Sequence, residues 1–282
     1  MSKLKRNVIS FMNMKGGVGK TTICVNIAGQ LAMSGKRVLV IDNDPQMNAS
    51  QYLLNAKLLE ELINSGKTIY SLYKESTDEN LLDISGECEE SADKEDEKNI
   101  IVKVRENLEL LCGDLNMSKV NGVNVDDETL KLFIENNSLK DEYEFIFIDC
   151  PPTQSIYTTS AFKASYYYLL VIKPDFLSTI GLSLFKNFIA NYNKKRNTED
   201  KLKNLGIVIN LAQKGNPYHS EKIEEIKEKN KFNKVFETCI NNISNIGKSS
   251  EEQKLMYETD KCKRAIKNLT NEFLKEYNER MI

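Results

Sequence analysis

Short, mostly apolar runs alternate along this chain with longer stretches in which apolar residues recur every three or four positions. Apolar runs of this length are typical of strands that a sheet buries on both faces. The runs that we interpret as strands are Val8–Met12, Arg37–Ile41, Leu108–Leu111, Phe145–Ile148, Tyr168–Ile172 and Gly206–Ile209. A polar or turn residue follows each of them, as expected where a strand leads into a loop.

The stretches with helical periodicity lie between these runs. We predict helices over Thr21–Ala32, Asp126–Leu139, Ser178–Lys195 and Tyr218–Asn230. Strands that alternate with helices in this way predict an α/β fold, a mostly parallel twisted β-sheet with helices on both faces. We expect a single domain over residues 1–282, because a chain of 282 residues with 40% hydrophobic content can supply a large core.

The formal net charge of −2 conceals an uneven distribution. From Glu75 to Glu97 there are eleven acidic residues and a single lysine, so the rest of the chain carries a net charge of +8. This stretch has no apolar period, and we interpret residues 76–98 as a solvated or mobile loop. From Lys194 to Lys234, eleven basic residues oppose six acidic ones. That balance fits either contacts to nucleic-acid phosphates or an ordinary solvated helical face.

Several classes of site and location are disfavoured by composition. The six cysteines form no C-x-x-C pair and His219 is the only histidine, so the sequence disfavours a zinc or iron–sulfur centre and favours reduced thiols in a cytoplasm. No stretch approaches the roughly 20 apolar residues of a membrane span. No long apolar run follows the charged start of the chain, residues 1–6, and we expect no export signal.

A glycine-rich segment between the first predicted strand and helix carries the candidate chemistry. It reads Lys15-Gly16-Gly17-Val18-Gly19-Lys20-Thr21-Thr22. The general phosphate-loop pattern needs glycine at position 14, where this chain has Met14, and the G-x-G-x-x-G spacing of dinucleotide sites is absent. Glycines that admit phosphate before a helix N-terminus still predict a nucleotide site, with Lys20 on the β and γ phosphates and Thr21 on Mg²⁺. A tight structural turn is the alternative.

The two lysines of this segment resemble the deviant Walker A motif, K-G-G-x-G-K-T-T, of the ParA/MinD/Soj superfamily of ATPases. The resemblance implies a P-loop NTPase fold with ATP and Mg²⁺ as cofactors. In that family the first lysine crosses a nucleotide-sandwich dimer to the other subunit's phosphates, which implies this role for Lys15 and a dimer that depends on ATP. A solvent-facing lysine beside the loop is the alternative.

Two carboxylate segments strengthen the resemblance. Residues 42–50, Asp-Asn-Asp-Pro-Gln-Met-Asn-Ala-Ser, match the family's D-x-D-P-Q-x-N-x-S segment, which implies that Asp44 positions the attacking water and that Asp42 lies near Mg²⁺. An Asp-Pro turn in which Asp42 caps the next segment is the alternative. The run 145–152 has the form of a Walker B strand, with Asp149 on Mg²⁺. Cys150 belongs to this turn, and we do not expect a catalytic thiol.

Two shorter motifs resemble the family's base-binding segments. Asn210, at the end of the predicted strand 206–209, resembles the asparagine that can recognise adenine, and a plain strand-end turn residue is the alternative. Pro174, in the segment Ile172-Lys173-Pro174-Asp175, resembles the flanking segment of the same site. We therefore include Asn210 and Pro174 among the expected nucleotide contacts.

The resemblance covers residues 8 to about 209 and implies an ATPase of the ParA partition family that hydrolyses ATP to ADP and phosphate. Its implied partners are a second copy of the chain, non-specific DNA and a ParB-like centromere-binding adaptor, and its implied location is the cytoplasm, on the nucleoid when ATP is bound. The alternative is a MinD-like ATPase on a membrane or scaffold. The tail from Lys261 to Ile282 has helical spacing but several glutamates, which favours a helix packed on its own core.

Overall fold

The computed structural model describes residues 5–78, 97–120, 126–230, 234–242 and 252–281. Seven strands form one sheet in the order β3-β4-β2-β5-β1-β6-β7, and every neighbouring pair is parallel except β3 with β4. The strands are β1 (Val8–Met12), β2 (Val38–Asp42), β3 (Ile101–Arg105), β4 (Leu108–Leu111), β5 (Phe145–Asp149), β6 (Tyr167–Ile172) and β7 (Lys203–Ile209). The predicted fold class is therefore confirmed.

The four central strands β1, β2, β5 and β6 are buried along their whole length, which is why they read as nearly continuous apolar runs. The edge strand β3 was not predicted. It alternates charged Lys103 and Arg105 with partly buried Val102 and Val104, and it pairs antiparallel with β4 through the turn at residues 106–107. A short edge strand of this kind is only half covered, so its apolar content is too low to mark it in the sequence.

Ten helices with α geometry lie in the described residues and cover both faces of the sheet. They are α1 (Lys20–Met33), α2 (Asn48–Leu53), α3 (Ala56–Asn64), α4 (Tyr70–Asp78), α5 (Thr129–Asn136), α6 (Leu139–Glu142), α7 (Ile156–Ala164), α8 (Phe176–Lys194), α9 (Pro217–Lys229) and α10 (Asp260–Met281). Single 3₁₀ turns occur at Glu97–Ile100, Leu115–Lys119, Thr198–Asp200 and Met256–Glu258.

Side-chain caps explain where several helices begin. The carboxylate of Asp175 accepts a hydrogen bond from the backbone N–H of Ser178, so α8 begins at Phe176, two residues before the predicted start. Asn216 caps α9 in the same way, and Pro217 occupies its first turn. The predicted helix over Asp126–Leu139 is instead two helices, α5 and α6, because Ser138 takes a left-handed conformation between them.

Two apolar clusters lie on opposite faces of the sheet. One joins the sheet to α1 and α10, and the other joins it to α4, α5, α7 and α8. Phe273 and Tyr277 of α10 pack against Phe145 of β5, with ring centroids 5.6 and 5.0 Å away. The interpretation of the tail as a helix packed on its own core is therefore confirmed.

Only the two ends of the predicted acidic loop, residues 76–98, lie among the described residues, and both ends are helical. Residues 76–78 belong to α4, and residues 97–98 belong to a 3₁₀ turn before β3. The remainder of that prediction, residues 79–96, lies outside the described residues. Within the part of the chain that the structure describes, no helix is long and apolar enough to cross a membrane.

Candidate nucleotide-binding site

The loop between β1 and α1 holds the predicted phosphate-binding residues and is anchored by Asn13. The side-chain amide of Asn13 donates a hydrogen bond to the carbonyl of Val171 at 2.6 Å, and its oxygen accepts one from the backbone N–H of Lys15 at 2.8 Å. The side chain therefore ties the start of the loop to the end of β6. Sequence analysis missed Asn13, because an asparagine after a strand is an ordinary turn residue.

Gly19 is the last residue of the loop, and both its backbone conformation and the limited space around it exclude a side chain. Its φ of 82° is left-handed, and a Cβ atom there would lie 2.2 Å from Nδ2 of Asn210. That amide nitrogen donates to the carbonyl of Val18 at 2.8 Å, so Asn210 holds the loop from the end of β7. Pro174 is buried just after β6. Contact of Asn210 and Pro174 with adenine stays a prediction.

Lys20 is the first residue of α1 and is only 6% exposed. Among the described residues, no carboxylate lies within salt-bridge distance of its ammonium group. A buried cation without a counter-ion is costly, and the N-terminus of a helix adds further positive potential. The site therefore favours an anion, and a phosphate group supplies both the charge and the acceptor oxygens that Lys20 and the backbone N–H groups require.

Asp149 ends β5 beside the loop. Its Oδ2 atom accepts a 2.6 Å hydrogen bond from the hydroxyl of Thr21, whereas its buried Oδ1 atom has no partner among the described residues. An unpaired buried carboxylate oxygen needs a hydrogen-bond donor or a cation. Thr21 and Asp149 are two of the three residues predicted for Mg²⁺, the third being Asp42, and the unpaired oxygen fits a metal ion or one of its water ligands.

Asp42 is the register partner of Asp149 on the neighbouring strand β2. Its Oδ2 atom accepts hydrogen bonds of 2.7 Å from both the backbone N–H and the hydroxyl of Ser50. Ser50 lies in the first turn of α2, so Asp42 does cap the following segment, as the alternative interpretation held. A Cβ atom at Gly113 would approach the Asp42 carboxylate to 3.0 Å, which shows how closely the surrounding backbone encloses it.

Burial raises the pKa of both Asp42 and Asp149, and the charges of neighbouring carboxylates raise these two pKa values further. A cation at this point relieves the cost of two buried negative groups. No cluster of three or more His, Cys, Asp or Glu side chains within the described ranges has metal-binding geometry. The protein part of the site thus suits Mg²⁺, which takes few protein ligands and completes its shell with water and phosphate oxygens.

Asp44 follows in the turn after β2 and is 5% exposed. Its Oδ1 atom accepts a 3.0 Å hydrogen bond from the backbone N–H of Gln46, and its carbonyl accepts one from Met47 at 2.8 Å. These bonds form the Asp-Pro turn of the alternative interpretation and fix the carboxylate at the carboxyl end of the sheet. The turn uses only part of the hydrogen-bond acceptor capacity of the Asp44 carboxylate. The carboxylate can therefore also accept a hydrogen bond from a water molecule, so the turn and a catalytic role are compatible.

Lys15 lies at the open edge of the site. Its Nζ atom forms a 2.7 Å salt bridge with Asp175, the residue that caps α8. Large apolar side chains are exposed on and beside the start of this helix. They are Phe176, Leu177, Leu184 and Tyr218, with exposed fractions between 44% and 62%. In the single chain, Lys15 is therefore held by its own Asp175 at the border of an exposed apolar surface.

The cysteines behave as packed thiols. Of the five that the structure describes, four are buried and Cys239 is partly buried, and all five are free. Burial and the charge of Asp149 raise the pKa of Cys150 well above its usual value. Cys150 is therefore not suited to nucleophilic catalysis, as the sequence indicated.

A mostly parallel sheet with a glycine loop before a helix, and with carboxylates at the ends of the two neighbouring strands, defines a P-loop nucleotide-binding protein. Residues 6–204 match the family model AAA_31, described as an AAA domain. The chain belongs to this family.

Relatives within the family carry the ParA and Soj names. The chain is 31% identical over 223 residues to an uncharacterized protein of Methanocaldococcus jannaschii, covering 78% of this chain and 79% of that one. It is 28% identical over 235 residues to the sporulation initiation inhibitor protein Soj of Bacillus subtilis, covering 83% of each chain. These matches confirm the predicted resemblance to ParA/Soj-like partition ATPases.

The fold also matches solved structures. One is a plasmid partition protein of Borrelia burgdorferi bound to AMPPNP, with a TM-score of 0.71 and 22% sequence identity over 98% of this chain and 100% of that one. At this identity the likeness shows the fold alone, and it agrees with the mostly parallel sheet covered by helices.

Proposed function

We propose that this chain, as one domain over residues 1–282, is a Mg²⁺-dependent ATP hydrolase of the ParA partition type. The observation that carries the proposal is Lys20, a buried cation at the N-terminus of α1 that forms no salt bridge with a carboxylate of the described residues. ATP phosphates supply the missing counter-charge, and Mg²⁺ contributes further charge neutralisation beside Thr21 and Asp149. The similarity to the Soj protein of Bacillus subtilis supports the choice of family function.

Different residues of the chain bind the phosphates, hold the metal ion and orient the attacking water during ATP hydrolysis. Lys20 and the loop backbone hold the β and γ phosphates, and the Thr21 hydroxyl and Asp149 would hold Mg²⁺, which would neutralise phosphate charge. Asp44, fixed in its turn, orients the attacking water in line with the γ-phosphate. Asp42 remains bonded to Ser50 and contributes charge near the metal's water shell.

ATP binding drives formation of a dimer through the open edge of the site. Lys15 leaves Asp175 and contacts the phosphates of the second copy, as the family motif implies. The exposed apolar side chains Phe176, Leu177 and Leu184 lie on α8, whose cap Asp175 pairs with Lys15, and they offer surface for that contact. Two copies that share their nucleotides in this way dissociate when hydrolysis removes the γ-phosphate.

The dimer binds DNA through sequence-independent contacts to the phosphates. A ParB-like adaptor stimulates the hydrolysis of ATP by the dimer, and both proteins act in the cytoplasm. The basic residues between Lys194 and Lys234 fall into two groups, residues 194–203 and residues 214–234, which differ in their ion pairs. In the later one, Lys222, Lys227 and Lys229 each bond a glutamate. In the earlier one, Lys194, Lys195, Lys201 and Lys203 are exposed, and none is paired with a carboxylate among the described residues. Unpaired lysines suit phosphate contacts, so we assign DNA binding to this earlier group.

Single-turnover ATP hydrolysis by the wild type and by Asp44→Ala tests the enzymatic part. We expect the wild type to release phosphate, faster with DNA and an adaptor, and Asp44→Ala to be slower by about 100-fold with ATP still bound. Equal rates for the two proteins under all conditions would remove Asp44 from its proposed role.

Co-sedimentation tests the partner. With ATP and Mg²⁺ we expect the protein to sediment with DNA, and the double variant Lys201→Glu/Lys203→Glu to lose most of that binding. Lys229→Glu is the matched control, because Lys229 is equally exposed but already paired with Glu225. Sedimentation with anionic liposomes and without DNA would instead favour the MinD-like alternative.

A further inference from the structure

Asn43 lies between the two carboxylates of the site, Asp42 and Asp44, and is completely buried. Successive side chains of an extended segment point to opposite sides, so Asn43 faces away from its neighbours' site. Its backbone N–H donates a 3.0 Å hydrogen bond to the carbonyl of Asp149, which joins the segment to β5. The position of this one residue therefore affects where both flanking carboxylates lie.

The side-chain amide of Asn43 is held at both ends. Its Nδ2 atom donates to the backbone carbonyl of Tyr157 in α7 at 2.7 Å, and its Oδ1 atom accepts from the hydroxyl of Tyr73 in α4 at 2.9 Å. A carbonyl can only accept, so the Tyr157 bond fixes which end of the amide is nitrogen and leaves the oxygen for Tyr73. Side-chain hydrogen bonds to two helices, α4 and α7, thus fix the position of Asn43 between the two carboxylates.

Tyr73 is itself built into the interior. It is completely buried, its ring packs edge to face on Tyr157 with centroids 5.0 Å apart, and burial raises the pKa of its phenol. The phenol therefore stays protonated and keeps its donor hydrogen. Its hydroxyl oxygen is also 3.2 Å from Oγ of Ser160. The amide oxygen of Asn43 can only accept a hydrogen bond, so Tyr73 must donate its hydroxyl proton to it. The Ser160 hydroxyl can act as a donor, and it can therefore donate its own proton to the Tyr73 oxygen.

We propose that Tyr73 is a positioning residue for hydrolysis, which acts through Asn43 to hold Asp44 in line with the γ-phosphate. This proposal rests on the hydrolytic role of Asp44 proposed above. Phosphoryl transfer depends on an aligned water more than on a strong base, so a small shift of the residue-43 peptide lowers the rate of the chemical step. It leaves the phosphate contacts of Lys20 and the loop unchanged, because those lie on a different strand–helix connection.

The test is Tyr73→Phe, which keeps the ring and its packing and removes only the hydroxyl. We expect kcat for ATP hydrolysis to fall about tenfold while KM and the Kd for ATP stay within about twofold. Tyr52→Phe is the matched control. Tyr52 is also a buried phenol whose hydroxyl bonds an asparagine, Asn26, and it lies on the other side of the sheet. That control loses a comparable bond and is expected to keep the wild-type kcat.

A second variant keeps the proposal testable if Tyr73→Phe folds poorly. Asn43→Ala removes the amide that Tyr73 holds, and we expect the same selective loss of kcat. The double variant Tyr73→Phe/Asn43→Ala should be no slower than Asn43→Ala alone, because Asn43→Ala already breaks the bond to Tyr73 together with the bond to Tyr157. Thermal unfolding of all four variants reports stability separately from rate.

The outcomes separate this proposal from the proposed function. The positioning role is wrong if Asp44→Ala slows hydrolysis but Tyr73→Phe retains the wild-type kcat. It is also wrong if Tyr73→Phe loses kcat only in proportion to its loss of stability, as Tyr52→Phe would. Additive effects in the double variant would contradict it as well. If the wild type and Asp44→Ala hydrolyse ATP equally, the proposed function fails first.

Discussion

The two sides of the nucleotide site differ in how complete they are in a single chain. On the inner side, Asp42, Asp44 and Asp149 are buried at strand ends, and Ser50, Gln46 and Thr21 hold them by hydrogen bonds. On the outer side, Lys15 forms a partly exposed salt bridge beside exposed apolar residues. The inner side is preorganised by the fold, and the outer side has the composition of a surface that a partner covers.

This difference has a chemical reason. Alignment of water and metal needs rigid groups, which the buried ends of parallel strands provide. Control by association needs groups that can change partner, and an exposed salt bridge contributes only about 0–1 kcal/mol to stability, so it exchanges easily. The four predictions that follow disturb one side or the other, from the largest expected effect to the smallest.

Lys20→Ala removes the buried cation that the described residues place on the inner side. We expect the affinity for ATP to fall by at least about 100-fold, because the variant loses charge-assisted bonds to phosphate in a buried site. Isothermal titration calorimetry with ATP and Mg²⁺ measures the change. Lys36→Ala serves as a control, since Lys36 pairs with Glu144 at the opposite ends of the strands. A loss of affinity below tenfold would mean that Lys20 is not the main phosphate contact.

Lys15→Gln changes the outer side alone. We expect the ATP-dependent dimer to weaken by more than about tenfold while the single chain still binds nucleotide, since a charge-assisted contact across the interface is lost. Light scattering at several protein concentrations with ATP and Mg²⁺ gives the dimer affinity. A dimer of wild-type strength would show that Lys15 serves only as the in-chain partner of Asp175.

Gly19→Ala tests whether the loop depends on close backbone approach. Both the left-handed φ and the 2.2 Å contact with Asn210 oppose a methyl group, and we expect a loss of about 2 kcal/mol in unfolding free energy together with weaker ATP binding. Gly35→Ala is the matched control. Gly35 has a similar φ of 87° but open space around it. Chemical denaturation should therefore show a smaller loss for Gly35→Ala, and equal losses would exclude a role for the Asn210 contact.

Asp175→Asn releases Lys15 without removing the cap of α8, because asparagine caps a helix as well as aspartate does. We expect the ATP-dependent dimer to form at a protein concentration lower by up to about fivefold, which corresponds to roughly 1 kcal/mol for a partly exposed pair. Light scattering under the same conditions as for Lys15→Gln provides the comparison. A weaker dimer would indicate that Asp175 itself contributes to the interface.

The sequence by itself determined the class of fold and the residues of the phosphate loop. Strands buried on both faces must be apolar throughout, and the motif from Lys15 to Thr22 requires glycines, a lysine and a hydroxyl in a fixed order. The resemblance to the family also implied roles for Asp42, Asp44 and Asp149 around the metal and the attacking water. The structure pairs Asp42 with Asp149 on neighbouring parallel strands, whose carboxyl ends meet at one edge of the sheet.

Only the tertiary structure decided which side chains hold these groups. Ser50, Asn13 and the pair of Asn43 with Tyr73 are ordinary polar or aromatic residues in the sequence, and their partners lie on other elements. The Lys15–Asp175 salt bridge spans 160 positions of the chain. Contacts of this kind depend on how helices and strands pack in space, and no local pattern of residues encodes them.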